Sequence, residues 1–69
     1  MGRHERAIQD LNEAIRLDPS LALAYANRAL VYTALNRDQE AALDIAKAIE
    51  LGTDSDQLKA AIEKLRQRR

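Results

Sequence analysis

Few side chains of this sequence are of the types that carry out catalysis, and their spacing does not fit a catalytic site. Nucleophilic catalysis needs a nucleophile, a base and an orienting group that converge in a pocket. The one histidine, His4, lies among charged residues near the start of the chain, as expected of a side chain in solvent or at an interface. Of the four serines and threonines, Ser20, Thr33, Thr53 and Ser55, three fall at predicted helix starts, where capping explains them. We therefore predict that the protein is not an enzyme.

The acidic residues likewise predict no metal site. Asp54 and Asp56 lie close together, but in a cluster typical of a capped helix start, and no calcium-binding loop with its central glycine follows. The sequence has no cysteine to supply a thiolate and no glycine-rich phosphate loop. Other acidic residues have basic partners three or four positions away, a spacing typical of solvated helix faces: Arg6 with Asp10, Asp44 with Lys47, and Lys59 with Glu63. We expect neither a metal ion nor a cofactor.

Length, charge and hydropathy narrow the class of protein. The 69 residues suffice for one small domain, residues 1–69. Eleven basic and eleven acidic residues cancel, so no overall positive field attracts nucleic acid. The basic stretch at residues 64–69 lacks interleaved aromatic side chains and is typical of a helix C-terminus. Apolar stretches are too short to span a bilayer and no signal peptide opens the chain, which predicts a cytoplasmic protein that binds neither nucleic acid nor membrane.

Apolar residues recur at steps of three and four in four segments, which predicts four helices. Pro19, Asn36 and Gly52 separate these segments. The predicted helices cover residues 3–17, about 20–35, 37–51 and 54–69. Ser20 and Asp38 are expected to cap the second and third helices, while Asn36 is expected to end the second in a left-handed conformation. The short connections predict that neighbouring helices pack antiparallel.

The first and third predicted helices share a pattern at an offset of 34 residues. Six pairs are identical at this offset: Arg3 and Arg37, Ala7 and Ala41, Asp10 and Asp44, Ala14 and Ala48, Ile15 and Ile49, and Leu17 and Leu51. A shared amphipathic pattern would repeat the apolar positions but not the arginine and the aspartate. A helix–turn–helix pattern with this period is that of tetratricopeptide repeats.

Residues 22–53 resemble one full tetratricopeptide repeat. The positions at which that family has small, aromatic or bulky apolar side chains hold Tyr25, Ala29, Tyr32, Ala41, Ile45 and Ala48. The stretch AIRLDP, residues 14–19, is similar to the family's repeat ending, so residues 2–19 resemble the second half of an earlier repeat. The resemblance implies an all-α fold of antiparallel helical hairpins, a right-handed α-solenoid fragment of four helices. It has a partial repeat at residues 3–17, a full hairpin at 20–51 and a capping helix at 54–69.

Two positions depart from the family pattern. Arg28 stands at the usual leucine, and we expect its charged end to stay in water while its stem packs. Asn36 stands at the turn glycine, which would weaken the turn. A fused second and third helix, and with it a domain swap, is therefore a hypothesis.

The resemblance also implies a non-catalytic scaffold whose groove binds a protein or peptide. The groove positions are then Leu23, Ala26, Asn27, Leu30, Thr33 and Ala34, with Lys64 from the last helix. Asn27 has both a donor and an acceptor and could bond a peptide main chain, or it could serve only to solvate an exposed face. Members that clamp a peptide carboxylate have basic residues where this chain has Gln57 and Ala61, so we expect no such clamp.

The helix at residues 3–17 lacks the first helix of its own repeat, so one of its sides would face water. This face consists of Ala7, Leu11, Ala14 and Ile15. Burying one leucine side chain stabilises a fold by roughly 1.5–3 kcal/mol. We therefore predict self-association, as a dimer, or that the chain is a natural or engineered fragment of a longer array. The alternative is that the small alanines make the exposed stripe tolerable in a monomer.

Overall fold

The computed structural model describes residues 2–69 and contains four helices: α1 Arg3–Leu17, α2 Ala22–Ala34, α3 Asp38–Glu50 and α4 Ser55–Arg68. The predicted all-α fold of helical hairpins is confirmed. Helix α2 is central, because it packs most extensively against α3 and also contacts both α1 and α4. The molecule is flat, with principal extents of 31 × 30 × 16 Å, so each helix keeps one face towards solvent.

Small side chains let the two helices of the central hairpin approach each other. Ala29 of α2 and Ala48 of α3 are both fully buried, and Ala41 of α3 is nearly so. A β-carbon alone occupies little space, so the axes of α2 and α3 come close at these positions. The buried cluster around them consists of Tyr25, Ala26, Ala29, Ala48, Leu58 and Ile62, with Ile15, Leu30, Ile45, Ile49 and Leu51 packed against it.

Left-handed residues end α2 and α3, as predicted. Asn36 has φ 62°, and the next residue, Arg37, donates its backbone N–H to the carbonyl of Tyr32 at 2.8 Å. Gly52 has φ 112°, and the N–H of Thr53 reaches the carbonyl of Ala48 at 2.9 Å. These bonds satisfy carbonyls that a helix end leaves without partners. The hypothesis of a fused second and third helix is wrong, because a turn at Asn36 separates α2 from α3.

Ser20 and Asp38, which we expected to cap α2 and α3, have other roles. Ser20 does not cap α2, because its N–H and hydroxyl both donate to Oδ1 of Asp18, at 3.1 and 2.7 Å, and α2 begins only at Ala22. Asp38 does not cap α3 but is its first residue. The cluster before α4 does cap it, since Oδ1 of Asp54 accepts from the N–H of Gln57 at 2.9 Å.

Candidate partner-binding surface

Two faces of helix α2 matter here, and the residues of the first pack α2 against the rest of the fold. Tyr25 and Ala29 are buried on this face and Tyr32 is half-buried. The hydroxyl of Tyr25 donates to the carbonyl of Pro19 at 2.9 Å, which fixes the connection between α1 and α2. Tyr25 and Ala29 therefore serve the packing of the fold and offer little surface to a ligand.

Arg28 lies on the same face, and its charged end is not in water as the sequence suggested. Its Nε and Nη2 donate to Oδ2 and Oδ1 of Asp44, both at 2.7 Å, so that α2 and α3 are joined by a bidentate ion pair. The side chain of Asp44 is only 6% exposed and that of Arg28 20%. The expected pairing of Asp44 with Lys47 is therefore wrong; Lys47 pairs with Glu50 at 3.3 Å.

The surroundings of Arg28 favour its charged form and fix its position. Its Nη1 donates to Oδ1 of Asn12 at 2.8 Å, which extends the network to α1. The guanidinium lies 5.6 Å from the ring centre of Tyr25 and 5.9 Å from that of Tyr32. The hydrogen bonds to Asp44 raise the pKa of Arg28 above its ordinary value, against the opposing effect of partial burial. Two features of the sequence indicated this pair. An arginine stands at an interior position of a helix, and an aspartate recurs at the 34-residue offset as Asp10 and Asp44.

The second face of α2 carries the residues predicted to line a groove. Leu23 is 64% exposed, Asn27 is exposed, and Leu30 and Ala34 are half-buried. Lys64 is exposed on α4, the neighbouring helix. Leu23, Asn27, Leu30 and Ala34 are spaced by four, three and four residues, so they form one stripe along α2.

Ala26 and Thr33, also predicted for the groove, are buried on the side of α2 next to that stripe. Ala26 is 7% exposed and shares the buried cluster with Leu58 and Ile62 of α4. Thr33 is 1% exposed, and its hydroxyl donates back to the carbonyl of Ala29 at 2.9 Å. Neither offers a free polar atom to a ligand, so the accessible part of the predicted surface consists of Leu23, Asn27, Leu30, Ala34 and Lys64.

The last residue of the sequence fastens α4 to the hairpin. Arg69 donates through Nη1 to the carbonyl of Thr33 at 2.9 Å, and through Nη1 and Nη2 to both carboxylate oxygens of Asp38 at 2.7 Å. Arg66 approaches the same carboxylate at 4.0 Å. The hydrogen bonds from Arg69 hold the pKa of Asp38 below its ordinary value. Arg69 therefore joins the end of α4 to both α2 and α3.

The face of α1 predicted for self-association is incompletely covered. Ala7, Leu11, Ala14 and Ile15 are all half-buried, and Ile15 packs against the central cluster. Helix α1 has no buried residue. Within residues 2–69 the expected ion pairs of Arg6 with Asp10 and of Lys59 with Glu63 do not form.

Three kinds of feature are absent from the part of the chain that the structure describes. It contains no cluster of three or more potential metal-ligating side chains. It encloses no pocket between the helices. No helix in it is both long and apolar enough to cross a membrane.

Known proteins resemble the chain over most of its length. A family model described as TPR repeat matches residues 1–36, and one described as tetratricopeptide repeat matches residues 22–51. Protein STIP1 homolog of Dictyostelium discoideum is 39% identical over 51 residues, or 74% of this chain. Tetratricopeptide repeat protein 34 of Homo sapiens is 40% identical over 52 residues, or 75% of this chain.

These relatives are much longer proteins. The chain spans 9% of the length of each of the two. No solved structure matches the chain significantly. The two family matches overlap across α2 and together cover α1, α2 and α3.

Proposed function

Because this chain belongs to the tetratricopeptide repeat family, we propose that it is a non-catalytic module that binds a partner protein or peptide through α2 and α4. Repeats of this family generally mediate protein–protein interaction. The proposed surface is the stripe of Leu23, Asn27, Leu30 and Ala34 on α2, together with the exposed Lys64 of the neighbouring helix α4. We name it the α2 stripe.

The observation that most supports this surface is that Leu23 is exposed and lies one helical turn before Asn27. A single exposed leucine is ordinary. Here the leucine, the amide and Leu30 lie one helical turn apart along the same line, so a partner can contact all three at once. Burying a leucine side chain against a partner stabilises the complex by up to roughly 1.5–3 kcal/mol. The packing residues of α2 cannot contribute in this way, because they are already buried in the fold.

The stripe would recognise a chain by shape and by one orienting amide. Asn27 offers a donor and an acceptor in the middle of the stripe, which suits the alternating N–H and C=O groups of a peptide backbone. Lys64 adds a positive charge that favours an acidic side chain of the partner. Ala26 and Thr33, next to the stripe, are buried in the fold, so the surface is preformed and little ordering of the module opposes binding.

Selection from a displayed library of random peptides tests this proposal. The wild-type chain is the target, and the variant Asn27→Ala is used to remove peptides that bind elsewhere. We expect the surviving peptides to shift the backbone amides of Leu23, Asn27 and Leu30 in an NMR titration. Peptides that shift only residues outside the α2 stripe, or that bind Asn27→Ala equally well, would argue against it.

A second candidate function is self-association through the α1 face, Ala7, Leu11, Ala14 and Ile15. It is favoured by the partial exposure of this face and by the lack of any buried residue in α1. Two copies that bury Leu11 against each other would gain apolar burial that the single chain lacks. In this case the main partner of the chain is a second copy.

Sedimentation equilibrium over a range of protein concentrations tests the second candidate function, self-association. A dimer should dissociate on dilution, and Leu11→Glu should abolish it because a charge would be buried at the interface. Leu43→Glu is the matched control, since Leu43 is exposed on α3. A mass equal to one chain at every concentration would exclude self-association.

A further inference from the structure

The fold separates charges that cancel in the sequence and gathers basic side chains at one edge of the molecule. Arg69, after the last residue of α4, donates to the carbonyl of Thr33 near the end of α2 and to the carboxylate of Asp38 at the start of α3. The end of α2, the start of α3 and the end of α4 therefore lie together at this edge.

The start of α1 lies at the same edge. Asn12 of α1 meets Arg28 of α2 at 2.8 Å, and both are about equally far from the short connection that joins the two helices, so α1 and α2 are antiparallel. Arg3 lies nine residues before Asn12, and Asn36 lies eight residues after Arg28. At a rise of about 1.5 Å per residue, both lie roughly 12–14 Å from that contact, in the same direction.

Basic side chains without an ionic partner are concentrated at this edge. Of the eleven Lys and Arg residues, five have a carboxylate within 4.0 Å in the described part of the chain and six do not. One of the six, Lys59, lies in the second turn of α4, near the opposite edge. Another, Lys64, already belongs to the surface proposed above. The other four are exposed at the edge, and we name them the basic edge: Arg3, Arg6, Arg37 and Arg68.

This side of the molecule is positively charged although the whole chain is neutral. Its carboxylate at Asp38 is already matched by Arg69 and lies 4.0 Å from Arg66. Seven Lys and Arg side chains and four Asp and Glu side chains belong to the segments that form this side, residues 2–6, 36–40 and 63–69. The opposite side has three basic and five acidic side chains, in residues 13–18 and 47–59. The chain is therefore polarised along its helices.

We propose that the basic edge binds an acidic segment of a partner protein, with Arg3, Arg37 and Arg68 pairing with its carboxylates. A guanidinium can donate two hydrogen bonds to one carboxylate, as Arg69 does to Asp38 at this same side of the molecule. The basic edge consists of helix ends and not of helix sides. Further helices packed against the sides of α1 or α4 would therefore leave the turn at Arg37 accessible.

Other anionic partners fit the basic edge less well. Glu5, Glu40 and Glu63 are exposed in the same segments, and a nucleic-acid strand, which has a phosphate at every link, would meet these carboxylates too. A protein segment can place a neutral or basic side chain opposite each of them. The two aromatic residues, Tyr25 and Tyr32, are not exposed, so no ring is available for base stacking. Within residues 2–69, no exposed large apolar side chain lies in these segments to anchor them in a membrane.

The acidic side of a second copy is also a poorer partner. Four of its five carboxylates already accept hydrogen bonds within their own chain, namely those of Glu13, Asp18, Glu50 and Asp54. Pairing of the two sides of different copies would compete with these bonds.

A fluorescein-labelled peptide in which glutamate and glycine alternate is the probe for the basic edge. It is titrated with the full chain while its anisotropy is recorded. We expect saturable binding at about 20 mM salt and weaker binding at about 150 mM, because salt screens exposed charges. The triple variant Arg3→Gln, Arg37→Gln, Arg68→Gln should bind about tenfold or more weakly. Lys59→Gln, which removes an exposed basic side chain away from this edge, is the matched control and should bind as wild type does.

The triple variant should fold as wild type does, because none of the three side chains has an ionic partner within residues 2–69. Circular dichroism checks this. Equal affinity of wild type and the triple variant, or an equal loss in Lys59→Gln, would overturn the proposal. The absence of saturable binding at low salt would overturn it as well.

Three further results would assign the basic edge or the peptide elsewhere, and each would overturn the proposal. An oligothymidylate with as many negative charges that binds more tightly, and loses affinity in the triple variant, would make the edge a nucleic-acid site. Self-association of the chain at low salt that the triple variant abolishes would assign the edge to a second copy. Amide shifts confined to Leu23, Asn27 and Leu30 would place the peptide on the α2 stripe. Leu23→Ala should leave the affinity for the acidic peptide unchanged, so this test is independent of the α2 stripe.

Discussion

Arg28 and Asp44, sixteen residues apart on α2 and α3, hold each other through two parallel hydrogen bonds of 2.7 Å. The pair fixes the register of the central hairpin, because a shift of either helix would separate the guanidinium from the carboxylate. Asn12 of α1 shares the same guanidinium at 2.8 Å. Three helices therefore meet at one side chain.

Removing one partner of this pair should destabilise the chain severely. Asp44→Asn leaves the charge of Arg28 without its partner, which costs about 3 kcal/mol in comparable buried pairs. A domain of this size rarely has more than about 3–5 kcal/mol of stability, so the variant should be largely unfolded at room temperature. Urea unfolding followed by circular dichroism at 222 nm measures the change.

Replacing both partners separates the contribution of the ion pair to stability from that of side-chain packing. The double variant Arg28→Leu with Asp44→Leu removes both charges and should be more stable than Asp44→Asn, because no uncompensated charge remains. Leucine is also the residue usual for the family at position 28. If Asp44→Asn unfolds at the wild-type urea concentration, the pair does not hold the hairpin.

The sequence predicted what depends on neighbouring residues and missed what depends on packing between helices. Four helices and the left-handed turn at Asn36 follow from local patterns, and the structure has them. The partner of Asp44 does not follow from local patterns. Lys47, three positions away on the same helix, is always near Asp44, whereas the proximity of Arg28 depends on how α2 and α3 align. The spacing therefore favoured Lys47, which the structure pairs with Glu50.

The sequence could predict which residues of α2 lie near one another, but not which of them are buried by other helices. The stripe of Leu23, Asn27 and Leu30 follows from helical periodicity. The burial of Ala26 depends on Leu58 and Ile62 of α4, which share its buried cluster, and the carbonyl of Thr33 accepts from Arg69 at the end of the same helix. Contacts of this kind between distant residues have no local sequence signal.

The positive φ of Asn36 predicts a graded response to substitution. Asn36→Gly should be at least as stable as wild type, because glycine adopts this conformation without a steric cost. Asn36→Ala should lose about 1 kcal/mol, since alanine keeps the β-carbon but lacks the short polar side chain that favours the left-handed conformation in asparagine. Thermal melts of both variants measure the difference, with the exposed Gln39→Ala as control. Equal melting temperatures for the glycine and alanine variants would contradict the turn geometry.

The ion pair of Asp38 with Arg69 predicts a pH-dependent contribution to stability. The pKa of Asp38 is lowered in the folded chain, so its contribution is fully present above the unfolded value of about 3.9 and is lost as the pH falls through the lowered value. Asp38→Asn should therefore be less stable than wild type at neutral pH, and the gap should narrow on acidification. Urea midpoints over a pH series measure this gap.

High salt and a variant of a second carboxylate test whether this ion pair is the source of the pH dependence. Both partners are partly exposed, so high salt should shrink the gap between wild type and Asp38→Asn at neutral pH. Glu40→Gln, at an exposed position in the same first turn of α3, should not reproduce the pH dependence. A gap that stays constant from neutral to acidic pH would contradict an ionised Asp38 as its source.

The close approach of α2 and α3 predicts intolerance of larger side chains at one alanine. Ala48→Leu should lower the free energy of unfolding by about 1–3 kcal/mol, because the added atoms have no space beneath α2. Ala46→Leu is the control, since Ala46 is exposed on the same helix. Urea unfolding of the two variants decides the point. Equal stabilities would show that the hairpin is not closely packed at Ala48.

The central claim is that the chain binds a partner through the α2 stripe, and one affinity comparison tests it most directly. A library-selected peptide is titrated by calorimetry against wild type, Leu23→Ala and Leu43→Ala, which shorten leucines that are 64% and 73% exposed on different helices. We predict that Leu23→Ala weakens binding by about tenfold or more, while Leu43→Ala binds as wild type does. Equal affinities for the three proteins, or a loss only in Leu43→Ala, would contradict the claim.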